Sequence, residues 1–168
     1  MGQSIGIIGA GVIGTVVGVA LKNKGYEIVG IASRNAESRQ RLSLRLDSLE
    51  YKDMADLAGK SDIVIIATND SAIAAVASMI ADQGGFRPGQ TVVHFSGALG
   101  SGILQPARAA GAQALSIHPL QTFANAEAAV QMLPGSVFTI EGDNGAMSLA
   151  YQLVEDLGGS GFRISAEV

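Results

Sequence analysis

The chain has 168 residues, 48% of them hydrophobic, enough to fill one core and too little for two independent ones. A formal net charge of -4 leaves no basic footprint for nucleic acid and no basic amphipathic helix for a membrane surface, so the expected partner is a small molecule. The absence of cysteine and the presence of two histidines exclude disulfides and thiolate chemistry, and no metal site is expected.

The chain opens on a β-branched run, Ile5, Ile7 and Ile8, that leads directly into Gly9, Gly11 and Gly14, spaced G-x-G-x-x-G. Val12 to Leu21 then reads as a helix ending at Asn23-Lys24-Gly25. Each glycine meets a separate demand: Gly9 a tight turn, Gly11 close approach of the backbone to a pyrophosphate, Gly14 close packing of the helix on the strand. The pyrophosphate would rest on the N–H groups of Val12, Ile13 and Gly14, at the positive end of the helix. Ile5 to Leu21 carries no charge, but it is short for a bilayer, is interrupted by glycines and has no basic segment before it. A cytoplasmic protein is expected.

Tyr26 to Ala32 reads as a second strand, Ala36 to Leu46 as a helix, Leu49 to Lys52 as a weak strand and Asp53 to Ala58 as a short helix. Ile63 to Ala67 is a buried strand, followed by a helix over Ser71 to Gln83 that Asn69 or Asp70 would cap and Gly84-Gly85 would end. Thr91 to Phe95 is a strand, Ser101 to Ala110 a helix, and Ala112 to Ile117 a strand closing on His118-Pro119. The long connection from Leu120 to Ser136, with a short helix around Ala126 to Met132, is of a kind that is often functional. Val137 to Glu141 is again a strand. Met147, Ala150, Leu153, Val154 and Leu157 form a helical core stripe, Gly158-Gly159 stops it, and Phe162 to Ser165 is the last strand. This alternation predicts an α/β fold: a doubly wound, mainly parallel Rossmann sheet with helices on both faces, in a single domain.

In such sheets ligands bind beyond the carboxyl ends of the strands. Ser33-Arg34-Asn35 stands where an NAD-selective protein places an acid on the ribose, and a hydroxyl and a guanidinium suit the 2′-phosphate of NADP. NADP is therefore expected over NAD. The alternative is an Asn35 helix cap beside a solvated Arg34. Thr68 and Asn69 either line the ribose or nicotinamide or serve only the start of a helix. His94 falls inside its strand and reads as a core histidine. Ser96 and Gly97, at the strand's end, either meet the nicotinamide amide or the substrate or form a plain turn. His118 protonates an oxygen or nitrogen as hydride arrives, anchors a substrate carboxylate, or orders the loop beside Pro119. Ser96 and His118 are the catalytic candidates, although no G-x-S-x-G elbow supports serine nucleophilic catalysis.

The phrases His94-Phe95-Ser96-Gly97-Ala98-Leu99 and Leu115-Ser116-Ile117-His118-Pro119-Leu120-Gln121-Thr122-Phe123, following the glycine turn, resemble the short-subunit dehydrogenase family over essentially the whole chain. That family is similar to pyrroline-5-carboxylate reductase, ketopantoate reductase, prephenate dehydrogenase and the deazaflavin-dependent NADP oxidoreductases. The resemblance implies NAD(P)-dependent hydride transfer between nicotinamide and a C=O or C=N group of a small metabolite. It also implies a helical domain that completes the substrate pocket and builds a homodimer. The sequence stops at Ser165-Ala166-Glu167-Val168, about where that domain would start, so residues 1–168 are expected to be the NAD(P)-binding domain with the helical domain absent. The competing expectation is a non-catalytic NADP-binding or sensing module, since fold does not establish activity.

Overall fold

The computed structural model describes residues 2–166. Its apolar runs become the strands β1 (Ser4–Ile8), β2 (Glu27–Ala32), β3 (Leu49–Tyr51), β4 (Ile63–Ile66), β5 (Thr91–His94), β6 (Gln113–Pro119), β7 (Val137–Gly142) and β8 (Ser160–Arg163). They form one sheet in the order β3-β2-β1-β4-β5-β6-β7-β8. Every neighbouring pair is parallel except β6 and β7. The chain winds outward from β1 through β2 to β3, then resumes on the other side of β1 at β4, so the switch point lies between β1 and β4.

Helices α1 (Val12–Asn23), α2 (Ala36–Leu46), α6 (Ala126–Met132) and α7 (Met147–Asp156) cover one face, and α3 (Met54–Gly59), α4 (Asp70–Asp82) and α5 (Gln105–Ala109) the other. Alternation along β4 divides its side chains between two cores. Ile63 and Ile65 join Val16, Val17, Leu21 and Leu46 on the first face, while Val64 and Ile66 join Leu57, Ile73 and Ile80 on the second. Each fully buried aliphatic side chain contributes roughly 1.5–3 kcal/mol before entropy is counted.

Three expectations need correction. The helix expected over Ser101 to Ala110 opens as a 3₁₀ turn, Ser101–Leu104, and only Gln105–Ala109 is α-helical. Pro106 near its start has no N–H with which to extend a hydrogen-bond ladder back into the preceding turn. The third-from-last strand, β6, runs on through His118 and Pro119, because these pair with Thr139 and Phe138 of β7. The last strand spans Ser160–Arg163 rather than Phe162 to Ser165: the Ser160 N–H donates to the Ser136 carbonyl at 3.0 Å, so pairing with β7 begins just after the glycines.

The long connection acts as a cover. Its helix α6 buries Ala129 in the first core, and Glu127 pairs with Arg45 of α2 at 2.6 Å. Glu167 and Val168, part of the expected junction to a helical domain, lie outside the described residues. Among the described residues no helix is long and apolar enough to cross a membrane.

Candidate functional site

At the switch point the backbone itself shapes the site. Gly9 has φ +108°, a conformation L side chains rarely adopt, and a Cβ there would lie 2.5 Å from the Ala67 carbonyl oxygen. A Cβ at Gly14 would overlap the Gly9 carbonyl oxygen. Gly11 differs from both, since a Cβ there would meet nothing within 4 Å. Its missing side chain leaves open space in front of α1. Gly11 is also the N-cap of α1, with no side-chain capping bond and no acidic residue in the first turn. The N–H groups and positive dipole end of this helix face that space with no acidic side chain of their own first turn to cap them.

The space continues in both directions. Toward β2 and β3 a cavity of about 790 Å³ is lined by Ser33, Arg34, Asn35 and Lys52, with Met54, Val76 and Met79 as an apolar wall. Arg34 is exposed and forms no ion pair among the described residues. Asn35 does cap α2, its Oδ1 accepting the Ser38 N–H at 2.9 Å. Toward β5 a second cavity of about 660 Å³ reaches Ile13, Phe95 and Ser96. Both are lined by Gly11, Ala67, Thr68 and Asn69, which makes them one trough across the switch point. Within it, the Thr68 hydroxyl oxygen is buried without a hydrogen-bond partner. Asn69 occupies the N-cap position of α4 but makes no side-chain capping bond. A capping amide expected from the sequence is thus left for other partners.

The two histidines at the carboxyl ends of β5 and β6, His94 and His118, are held in opposite tautomers. The Ser96 N–H donates to His94 Nδ1 at 3.1 Å, so that nitrogen carries a lone pair, and the protonated Nε2 donates to the Gly100 carbonyl at 2.9 Å. His94 is fully buried, and burial pushes its pKa below the ordinary histidine value. In His118 the bond to the Phe95 carbonyl, 3.2 Å, places the proton on Nδ1. Its Nε2 therefore accepts when the ring is neutral and donates when it is charged. Gly97 lies against the His118 ring so closely that a Cβ at that position would overlap it.

Residues 2–119 match the Rossmann-like domain family. The chain belongs to it. Glutamyl-tRNA reductase of Methanocella arvoryzae is 28% identical over 89 residues, which is 52% of this chain and 21% of that one. Synechocystis arogenate dehydrogenase superposes with a TM-score of 0.81 at 17% identity, over 97% of this chain and 60% of its own. Prephenate dehydrogenase from A. aeolicus, in complex with hydroxyphenyl propionate and NAD+, gives 0.79 at 18%, over 98% and 60%. An imine reductase from Aspergillus terreus, in complex with NADPH4, gives 0.75 at 17%, over 98% and 56%. At these identities the likeness is one of fold. The chain spans about 60% of the length of these structures.

The Rossmann-like domain thus brings Gly9, Gly11, Val12, Ile13, Ser33, Arg34, Thr68, Asn69 and Ser96 to one trough, with Gly14 packed beneath it. His118 is not among the residues that line this trough; Gly97 packs against its ring. Lys52 escaped the sequence reading. The sequence reading runs the third strand through Lys52, whereas β3 ends at Tyr51, so the strand-end rule that found Arg34 passed Lys52 over.

Proposed function

We propose that this Rossmann-like domain binds NADP in preference to NAD and forms the cofactor half of an oxidoreductase of the short-subunit dehydrogenase kind, acting on a C=O or C=N group of a small metabolite. The observation that carries the proposal is the continuous trough from Arg34 and Lys52, past the uncapped start of α1, to Ser96. The first-turn N–H groups of Val12, Ile13 and Gly14 would hold the pyrophosphate, and Gly11 would let it approach. Ser33, Arg34 and Lys52 would hold the 2′-phosphate, with Met54, Val76 and Met79 against the adenine. Thr68, Asn69 and Ser96 would take the nicotinamide end. When bound, NADP supplies the hydride chemistry; the protein supplies orientation and a proton. His118 is the acid or substrate anchor of this reading: its charged form offers the Nε2 proton, and the Phe95 carbonyl holds the ring in register. The NAD+ and NADPH4 complexes of similarly folded oxidoreductases support a dinucleotide in the trough. The proposal extends to a cytoplasmic protein whose longer form is a homodimer with a helical domain as the second wall of the pocket.

One observation favours a second reading, a non-catalytic NADP-binding or sensing module. His118 does not line the trough, so the described residues bind an extended anion more completely than they expose an acid. Thermal unfolding with each nucleotide tests the first step. NADP at about a hundred times its dissociation constant should add roughly 2.7 kcal/mol. Equal stabilisation by NAD removes the selectivity argument, and no stabilisation by either removes the cofactor. Turnover with carbonyl or imine substrates, lost in His118→Ala, separates enzyme from sensor.

A further inference from the structure

The segment from Phe95 to Ser101 has no regular structure before its 3₁₀ turn, yet six of its backbone polar groups are bonded to side chains. His94 holds both ends, at the Ser96 N–H and the Gly100 carbonyl. The Ser96 hydroxyl accepts the Ala98 N–H at 3.2 Å, and the Ser116 hydroxyl donates to the Leu99 carbonyl at 3.2 Å. From β7, Glu141 accepts the Ser101 N–H on Oε2 at 2.5 Å and the Ser101 hydroxyl on Oε1 at 2.8 Å. Glu141 is only 9% exposed. Arg108 donates to the Ser101 Oγ at 2.6 Å and is itself held by Asp143, so the serine hydroxyl both donates and accepts.

Glu141 accepts two bonds where an ionised carboxylate offers about four acceptor sites, so burying it here is costly and its placement of the loop is what it returns. What this loop places is Gly97, whose backbone lies against the His118 imidazole. Ser116 and Glu141 are direct cross-strand partners, and His118 and Thr139 are the next pair on the same face of the sheet. The clamp and the histidine thus share one rigid platform. A carboxylate suits the position because it accepts two bonds from Ser101, whereas an amide would turn an N–H₂ group toward one of the donors.

We infer that Glu141 is a positioning residue: acting through Ser101 and with His94 and Ser116, it fixes the 95–101 loop, and through Gly97 it fixes the His118 ring. Its importance for reactivity rests on the reading of His118 as the group at the substrate end; the mechanical linkage itself does not. Release of the loop end lets Gly97 leave the ring and the Phe95 carbonyl leave Nδ1, and the Nε2–H form that free imidazole favours takes over.

The test is ¹⁵N-detected tautomer spectroscopy of the two histidine rings in the 168-residue chain, at a pH where both are neutral and with no nucleotide present. His118→Asn assigns the signals. The expected wild-type result is Nε2–H for His94 and Nδ1–H for His118. Glu141→Gln and the gentler Ser101→Ala should each lose the Nδ1–H majority at His118. Gly97→Ala, which pushes on the ring without touching the clamp, should move the same signals. If Glu141→Gln unfolds, Ser101→Ala carries the test alone. Unchanged His118 signals in a folded clamp variant overturn the inference, whether or not Gly97→Ala shifts them. Without nucleotide in the sample, a failure of NADP binding is read separately.

Discussion

The glycine turn after β1 and the 95–101 loop after β5 both close parallel strands of one sheet and both border the trough, but they are built by opposite means. The turn is made of backbone: two of its glycines are required by contacts to the Ala67 and Gly9 carbonyls, and the third leaves room. The loop is made of side chains, with His94, Ser116 and Glu141 from three strands replacing the regular hydrogen bonds it lacks. A backbone-built site offers donors that do not titrate and suits an anion whose charge is fixed. A side-chain-built loop can place a titrating ring next to a substrate, and it depends on groups distant in sequence.

The comparison breaks most visibly at Gly9. Gly9→Ala combines a left-handed backbone with overlap on the Ala67 carbonyl, and a loss of roughly 3 kcal/mol in chemical denaturation is expected. Gly11→Ala should instead cost only about 1 kcal/mol, alanine being a poorer N-cap than glycine, while weakening NADP at least about tenfold in calorimetry. A Gly11→Ala protein that binds normally would falsify the pyrophosphate placement.

In the loop, His94→Asn removes a ring that satisfies both ends, with an expected loss of about 2–3 kcal/mol. The pH profile sharpens this. Burial depresses the folded pKa of His94 below the value of 6.5 for a free histidine, so its contribution is complete above the unfolded pKa and is lost as pH falls toward the folded one. The acid limb of a stability profile should flatten in His94→Asn; an unchanged limb counts against the buried neutral ring.

At the far end of the trough, Arg34→Ala and Lys52→Ala should each cost NADP about 1.5–3 kcal/mol, ten- to a hundredfold, and leave NAD nearly unaffected. Equal losses for both nucleotides would place these cations elsewhere. Tyr26→Phe, which removes a 2.5 Å bond to Asp156, should cost about 1 kcal/mol. Burial first and Asp156 second raise the Tyr26 phenol pKa, so this contribution persists below the unfolded tyrosine value and disappears in strong alkali. The smallest effect belongs to Arg41→Ala, whose pair with Glu37 is 71% and 84% exposed and contributes at most about 0.5 kcal/mol.

The same contrast decides what could be read in advance. Gly9 and Gly14 announce their roles because each answers a local steric demand, and the β-branched run of β1 and the apolar stripe of α7 follow from periodicity alone. Ser33, Arg34, Thr68 and Asn69 were legible by position after a strand. The Glu141 clamp was not, because it exists only once β7 turns back antiparallel to β6, and nothing near Glu141 in the chain states that direction. The start of β8 was misread for the same reason: Gly158-Gly159 reads as a stop, and only the Ser136 carbonyl across the sheet makes Ser160 a strand residue. Pro106 was visible, but its effect depended on a 3₁₀ turn pinned by Glu141.

The bond between Tyr26 and Asp156 joins residues 130 positions apart, and the pair between Arg45 and Glu127 joins residues 82 apart. Together with α6 lying on α1, they tie the flank of the first βα unit to the last third of the chain. Closing such long loops is slow relative to forming local helices. During synthesis the glycine turn is made well before α6 and α7, and α1 waits with that flank uncovered until those two helices follow. A nascent chain halted before Met132 would carry the complete glycine sequence and lack the cover that holds α1 in place.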